Sequence, residues 1–234
     1  LAKSNKKSFA IIAIIVGAVG IGLGAYTIVA VGINLDQQRT TTPSDAHSDQ
    51  RLNSLILNGL PMLGSTDAPI TIIEFGDYQC PNCQRFNTQI KPLIVENYIS
   101  TGKARLIFKD FTIYGHDSVN GAVATYCAGE QGKYWEMHDH LYESQRAINS
   151  GWLSMNNIEK FASEIGLANQ PFKECLEDDK YKQQVMENFE QGKSIGITGT
   201  PTFVIIDRDG ETKVVTGAQP YSVFKQILDE MSVN

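Results

Sequence analysis

The chain has 234 residues, 42% of them hydrophobic, which is enough to bury a substantial core without relying on cysteine bridges to stay folded. A formal net charge of -6 lacks the basic footprint of a protein that grips a polyanion, so nucleic acid is excluded as a partner. Four cysteines, Cys80, Cys83, Cys127 and Cys175, are compatible with two bridges if the compartment is oxidising.

Residues 1 to 8, LAKSNKKS, carry three lysines, and residues 9 to 33 then run without a charge. A run of that length crosses a bilayer as a helix, so residues 1–35 are expected to form an N-terminal transmembrane signal-anchor. Lysines before the span keep the N-terminus inside, which makes the chain a single-pass protein of the cell membrane with its folded part extracytoplasmic. A cleaved signal peptide is the alternative, with Ala30-Val31-Gly32 as a small-residue cleavage site, but its apolar core ordinarily runs only about 7 to 15 residues. Either way the folded part is exported to where disulfides persist. Residues 36–61 read as a linker: DQQRTTTPSDAHSDQ, residues 36 to 50, is too polar to offset the entropy of being ordered. The more apolar LNSLILNGLPML, residues 52 to 63, is broken by Gly59 and Pro61.

Residues 62–234 carry the folded domain. APITIIEF is a short β-branched run that predicts a buried strand. A helix follows from about Cys80 to Ser100, with Phe86, Ile90, Leu93, Ile94 and Tyr98 at helical spacing and a kink at Pro92. KARLIFKDF, residues 103 to 111, is a second strand, and a strand, helix, strand unit pairs in parallel. From about Asp117 to Gly196 the pattern is helical, with breaks near Gly132, Gly151 and Pro171. TPTFVIID returns to strand, RDG turns the chain, TKVVTG pairs back as a hairpin, and residues 220 to 232 form a final helix. The plan is α/β: a small mixed sheet interrupted by a helical insertion at about residues 115–196.

The stretch EFGDYQCPNCQRF carries the chemistry. A thiolate is the species that attacks a disulfide, so a redox site must lower one cysteine below its usual pKa of about 8.5. Cys80 sits where a loop meets a helix, Pro81 suits the first helical position, and the unpaired N–H groups of that turn face the Cys80 sulfur. Cys83, one turn on, is placed to resolve a mixed disulfide. Zinc would need two more ligands; Cys127 and Cys175 are not a second short-spaced pair, and His138 and His140 fall on different faces of their helix, so no metal is expected.

With GITGTPTF downstream and helices between, these residues resemble the DsbA-type thiol-disulfide oxidoreductases, enzymes of thioredoxin-like fold that donate disulfides to exported proteins. The resemblance spans residues 62 to 234. It implies that Cys80 is the nucleophile, Cys83 the resolving cysteine, and Pro201 a cis proline facing the pair, with Thr200 helping to dock substrate. Glu74 and Lys109 match the family's buried acid and its lysine partner beneath the cysteines; burial raises such an acid's pKa and suits it to relay a proton for Cys83. Asn82 stands where the best-known member has histidine, and an amide stabilises the thiolate less, which predicts a less oxidising pair. Cys127 and Cys175 are expected to form a structural disulfide, partly because similar cysteines occur in some relatives; a relay pair exchanging with Cys80 and Cys83 is the alternative.

By the same resemblance, exported cysteine-containing proteins are the substrates of a monomeric, membrane-tethered enzyme. A membrane quinone-linked partner of the DsbB or vitamin K epoxide reductase type reoxidises it. The redox-active disulfide carries the electrons, so no other cofactor is expected. Two rivals stand: an isomerase or reductase of the same fold, and a non-catalytic binding module stapled by Cys80 and Cys83.

Overall fold

The computed structural model describes residues 55–56 and 61–232; the expected membrane span and the polar stretch after it lie outside them. Among the described residues no helix is long and apolar enough to cross a membrane. The sheet is built on β2, Ile70–Gly76, whose seven residues are all buried, as a continuous apolar run predicts for a strand covered on both faces. β2 pairs in parallel with β3, Ala104–Asp110, in the register Glu74 opposite Phe108 and Phe75 opposite Lys109. A short β1, Met62–Leu63, adds to the outer side of β3, and β4, Thr202–Ile206, and β5, Thr212–Thr216, complete the order β1-β3-β2-β4-β5. The β4–β5 turn is held by Asp207, whose Oδ1 accepts from the backbone N–H groups of Asp209 and Glu211, and by Gly210 at φ 82°.

Helix α1 follows β2 as four consecutive pieces: Pro81–Arg85 and Lys91–Ile94 are α-helical, Phe86–Ile90 and Val95–Ile99 π-helical. The first wide turn ends just before Pro92, with the Lys91 N–H reaching back five residues to the Phe86 carbonyl. Pro92 lacks an N–H and its ring crowds the carbonyl four residues back; the π turn relieves both. Each wide turn adds a residue, so the later side chains rotate by about 100° relative to an unbroken α-helix. Leu93, expected on the apolar face, is accordingly 38% exposed, while Ile90, Ile94 and Tyr98 are buried.

Between β3 and β4 lie α2, His116–Gly129, α3, Tyr134–Glu143, α4, Met155–Glu164, α5, Asn169–Glu177, and α6, Lys182–Ser194. The expected break at Pro171 falls earlier, in the residues before Asn169. Pro171 is the third residue of α5, where backbone N–H groups have no helical partner to lose. Helix α7, Tyr221–Ser232, closes the chain's described part.

Strand alternation divides the sheet's side chains between two layers. Ile70, Ile72, Leu106, Phe203 and Ile205 meet Phe86, Ile90 and Ile94 of α1 and Phe224 and Leu228 of α7. Ile73, Phe75, Ile107, Val204 and Ile206 meet Leu55 and Phe111 on the other face. Full burial of each such side chain contributes roughly 1.5–3 kcal/mol. The helical insertion has its own core, which includes Tyr78, Cys80, Cys83 and Phe108, so the cysteine pair sits where sheet, α1 and insertion meet. Gly76 permits that junction: a Cβ there would stand 2.5 Å from the Phe108 ring. Cys127 of α2 and Cys175 of α5 are joined by a disulfide.

Candidate active site

The loop between β2 and α1 is held by the insertion. Asp77 accepts from the Gln79 backbone N–H at 2.8 Å and the Ser118 hydroxyl at 2.7 Å. The buried Gln79 side chain donates to Ser118 Oγ and the Tyr114 carbonyl, and its Oε1 accepts the Asn149 N–H at 2.7 Å. Gln145 Nε2 reaches the carbonyls of Tyr78 at 2.7 Å and Cys80 at 3.1 Å. Five backbone and side-chain groups from residues 77 to 80 are thereby satisfied by other parts of the chain, which orders the approach to the first cysteine. Sequence reasoning missed Gln79 and Gln145: a glutamine in a loop carries no signal that partners far along the chain await it.

Cys80 is the residue just before α1, with Pro81 opening the helix. Both cysteines are free thiols and buried, Cys80 at 2% and Cys83 at 0% exposure. The Cys83 hydrogen bond, with the backbone N–H groups of Cys83 and Asn82, overcomes burial and brings the Cys80 thiol down to about 6. Burial, reinforced by the same hydrogen bond, pushes the Cys83 thiol well up. Asn82 itself is exposed, so its share in this is its backbone N–H. The peptide bond between Thr200 and Pro201 is cis, and Cys80 Sγ lies 3.4 Å from the Thr200 carbonyl oxygen.

Glu74 is buried in the layer beneath the pair, and burial drives its carboxyl from 4.5 up to about 8 despite the opposing charge of Lys91. The expected pairing with Lys109 is overturned. Lys109 follows Phe108, the strand neighbour of Glu74, so it projects to the opposite face of the sheet. There its Nζ donates to Gln191 Oε1 at 2.7 Å and Asn188 Oδ1 at 3.4 Å on α6. Burial takes the Lys109 ammonium down to about 8, offset in part by the neighbouring Asp110 charge. The cation that acts on Glu74 is Lys91, about two helix turns beyond Cys83, which sequence reasoning passed over. Its only sequence signal is a lysine set between the apolar Ile90 and Ile94.

The thioredoxin family model matches residues 58–230, most of the chain. The chain belongs to the thioredoxin family. Within that family it is 28% identical over 177 residues to the disulfide bond formation protein D of Bacillus subtilis, covering 74% of this chain and 78% of the relative. Among solved structures, oxidised BdbD of Bacillus subtilis superposes with a TM-score of 0.68 at 27% identity, over 75% of this chain and 94% of that one. Wolbachia pipientis alpha-DsbA1 gives 0.69 at 26% identity, over 77% and 96%. These relatives place the chain with the DsbA-type enzymes as a protein thiol-disulfide oxidoreductase.

A pH dependence of stability follows from Glu74. Its folded pKa lies above the unfolded one, so the folded protein holds a proton that the unfolded chain releases between pH 4.5 and about 8. The stability this group supplies is complete below 4.5 and is lost as pH rises through about 8. Glu74→Gln is therefore expected to be more stable than the wild type in urea melts at pH 9, with the advantage gone at pH 5. Parallel pH profiles for the two proteins would refute the assignment.

Proposed function

We propose that this protein is a membrane-tethered, extracytoplasmic oxidase that introduces disulfides into exported cysteine-containing proteins through the Cys80–Cys83 couple. The observation that carries the reading is the split between the two sulfurs: Cys80 lowered to about 6 at the helix start, Cys83 buried and raised. In the oxidised enzyme a substrate thiolate attacks Cys80. The Cys80–Cys83 bond breaks, and Cys83 leaves with the electron pair and takes a proton from Glu74. A second substrate thiolate then attacks the substrate sulfur of the mixed disulfide; the substrate departs oxidised and Cys80 departs as a thiolate. A low pKa makes Cys80 the better leaving group in this last step.

Thr200 and Pro201 offer backbone beside Cys80 for an extended substrate segment, since proline brings no N–H of its own to compete. Pro81 and Asn82 shape the helix start that stabilises the thiolate. Lys109, on the far side of the sheet, has no part in these steps. A membrane quinone-linked partner of the DsbB or vitamin K epoxide reductase type would accept the electrons, and the uncharged run over residues 9 to 33, with lysines before it, supports a tether that keeps enzyme and oxidant together.

The reduction potential tests the direction of transfer. Equilibrating the protein with glutathione and trapping free thiols is expected to return a value nearer to about -120 mV, the figure for a disulfide donor, than to about -180 mV, that of an isomerase. A value near about -270 mV, as in thioredoxin, would reject the oxidase reading in favour of a reductase.

A further inference from the structure

Beneath the cysteine pair lies a set of ionisable side chains that the exchange steps above leave unused. Lys91 of α1 is only 5% exposed, a rare position for an ammonium group. Its Nζ donates to Asn87 Oδ1 at 2.7 Å, pairs with the Asp139 carboxylate of α3, and lies 5.2 Å from the centre of the Trp135 ring. Asp139 connects the group to water, its side chain being 44% exposed. Next to it His138 is fully buried and packs on Phe108, the strand neighbour of Glu74, with its Nδ1 2.9 Å from the Tyr78 hydroxyl and its Nε2 3.8 Å from Asp139. Burial, with Lys91 close by, holds His138 well below its ordinary value and so neutral.

Four polar atoms of this layer, Glu74 Oε1, His138 Nε2 and the hydroxyls of Tyr134 and Tyr142, are buried without a hydrogen-bond partner among the described residues. The titratable groups that act on or are acted on by Glu74 are Cys80, Cys83 and Lys91 from the α1 side, and Tyr134, Asp139 and Tyr142 from α3, with neutral His138 alongside. Its strand neighbours, Phe108 and Phe203, contribute no charge. Lys91 is thus the one cation of that set among the described residues, and its partner Asp139 is the one anion that opens to solvent.

We infer that Lys91, held in place by Asp139, is a positioning residue that keeps the buried Glu74 carboxyl able to change charge and so sets the pH at which Cys83 closes the disulfide. The inference rests on the proposed role of Glu74 as proton carrier for Cys83. The two halves of the pair act on Glu74 with opposite sign: the ammonium favours the carboxylate, and the aspartate disfavours it. When the enzyme is reoxidised, only the carboxylate form of Glu74 can accept the Cys83 proton. With glutathione as the partner on Cys80, the step balances as follows. The Cys83 S–H proton passes to Glu74, the Cys83 sulfur attacks Cys80 Sγ and forms the S–S bond, and the Cys80–glutathione bond breaks to release glutathione thiolate with the electron pair.

The test uses the full chain, reduced, in detergent, mixed with oxidised glutathione, with release of the second glutathione followed against pH. The wild-type rate is expected to rise with pH as Glu74 ionises. In Lys91→Met that rise moves up by about one pH unit, the low end of what an opposite charge acting on a carboxyl exerts. In Asp139→Asn, where Asn87 Oδ1 still holds the Lys91 ammonium, it moves down, and in Lys91→Arg it stays near the wild-type position. A loosened fold would displace Lys91→Met and Asp139→Asn the same way, so opposite movement is the signature of the proposed role. The Glu74 carboxyl carbon, titrated by NMR in the same variants, should move in parallel. Superimposed profiles, or displacement of both variants in one direction, would overturn the role of Lys91 while leaving the exchange function intact. If the wild type released no second glutathione, the oxidase reading would fall, and an NMR titration unmoved by Lys91→Met would remove the electrostatic claim separately.

Discussion

Cys80→Ser is expected to reduce oxidation of a dithiol peptide to the uncatalysed rate. A serine hydroxyl forms no disulfide, so the variant has no means of accepting the substrate's electrons. The magnitude reflects how much of the chemistry the protein concentrates on one sulfur. With a pKa of about 6, Cys80 is about nine-tenths thiolate at pH 7, against a few per cent for an unperturbed cysteine. Cys83 cannot substitute, because burial and the hydrogen bond it gives to Cys80 hold it in the thiol form. Cys83→Ser should behave differently, since Cys80 remains reactive: the variant is expected to accumulate a mixed disulfide with substrate, visible as a mass increase removed by reductant. Retention of wild-type oxidation by Cys80→Ser would sink the assignment, and a non-catalytic stapled module would become the better account.

Loss of the Cys127–Cys175 bridge is the second large effect. The two residues are 48 apart in sequence, and closing a loop of that size removes about 4 kcal/mol of chain entropy from the unfolded state. The double variant Cys127→Ala, Cys175→Ala is expected to lose stability on that scale in chemical denaturation. Alanine is chosen because both sites lie in the core of the insertion, where a hydroxyl would add an unmet hydrogen bond. Peptide oxidation well below the melting transition should stay at the wild-type rate. A folded double variant with altered oxidation kinetics would instead favour the alternative in which this pair exchanges with Cys80 and Cys83.

The strands, the hairpin and the helix that opens at Pro81 were legible because their signals are local. A β-branched run, a proline without an N–H and an Asp-Gly turn act within a few residues, whatever the rest of the chain does. The burial of Glu74 was legible too, as an acid inside an apolar strand. Its partner was not. Assigning Lys109 to Glu74 required knowing that the parallel register sets Phe108, and not Lys109, beside the acid; a one-residue difference moves a side chain to the other face. Lys91 was hidden by the π turn directly before it, which shifts the helix face that regular spacing would predict, and the same shift exposes Leu93.

By itself, then, the sequence determined which sulfurs carry the chemistry and the elements that present them, since helix starts, strand runs and proline positions are properties of short segments. Only the tertiary structure decided what surrounds those sulfurs: the glutamines that order residues 77 to 80, the face on which Lys109 lies, and the Lys91–Asp139 pair next to Glu74. Burial and charge at Cys80, Cys83 and Glu74 arise from groups on separate elements, whose approach depends on strand register and helix phase across the whole fold.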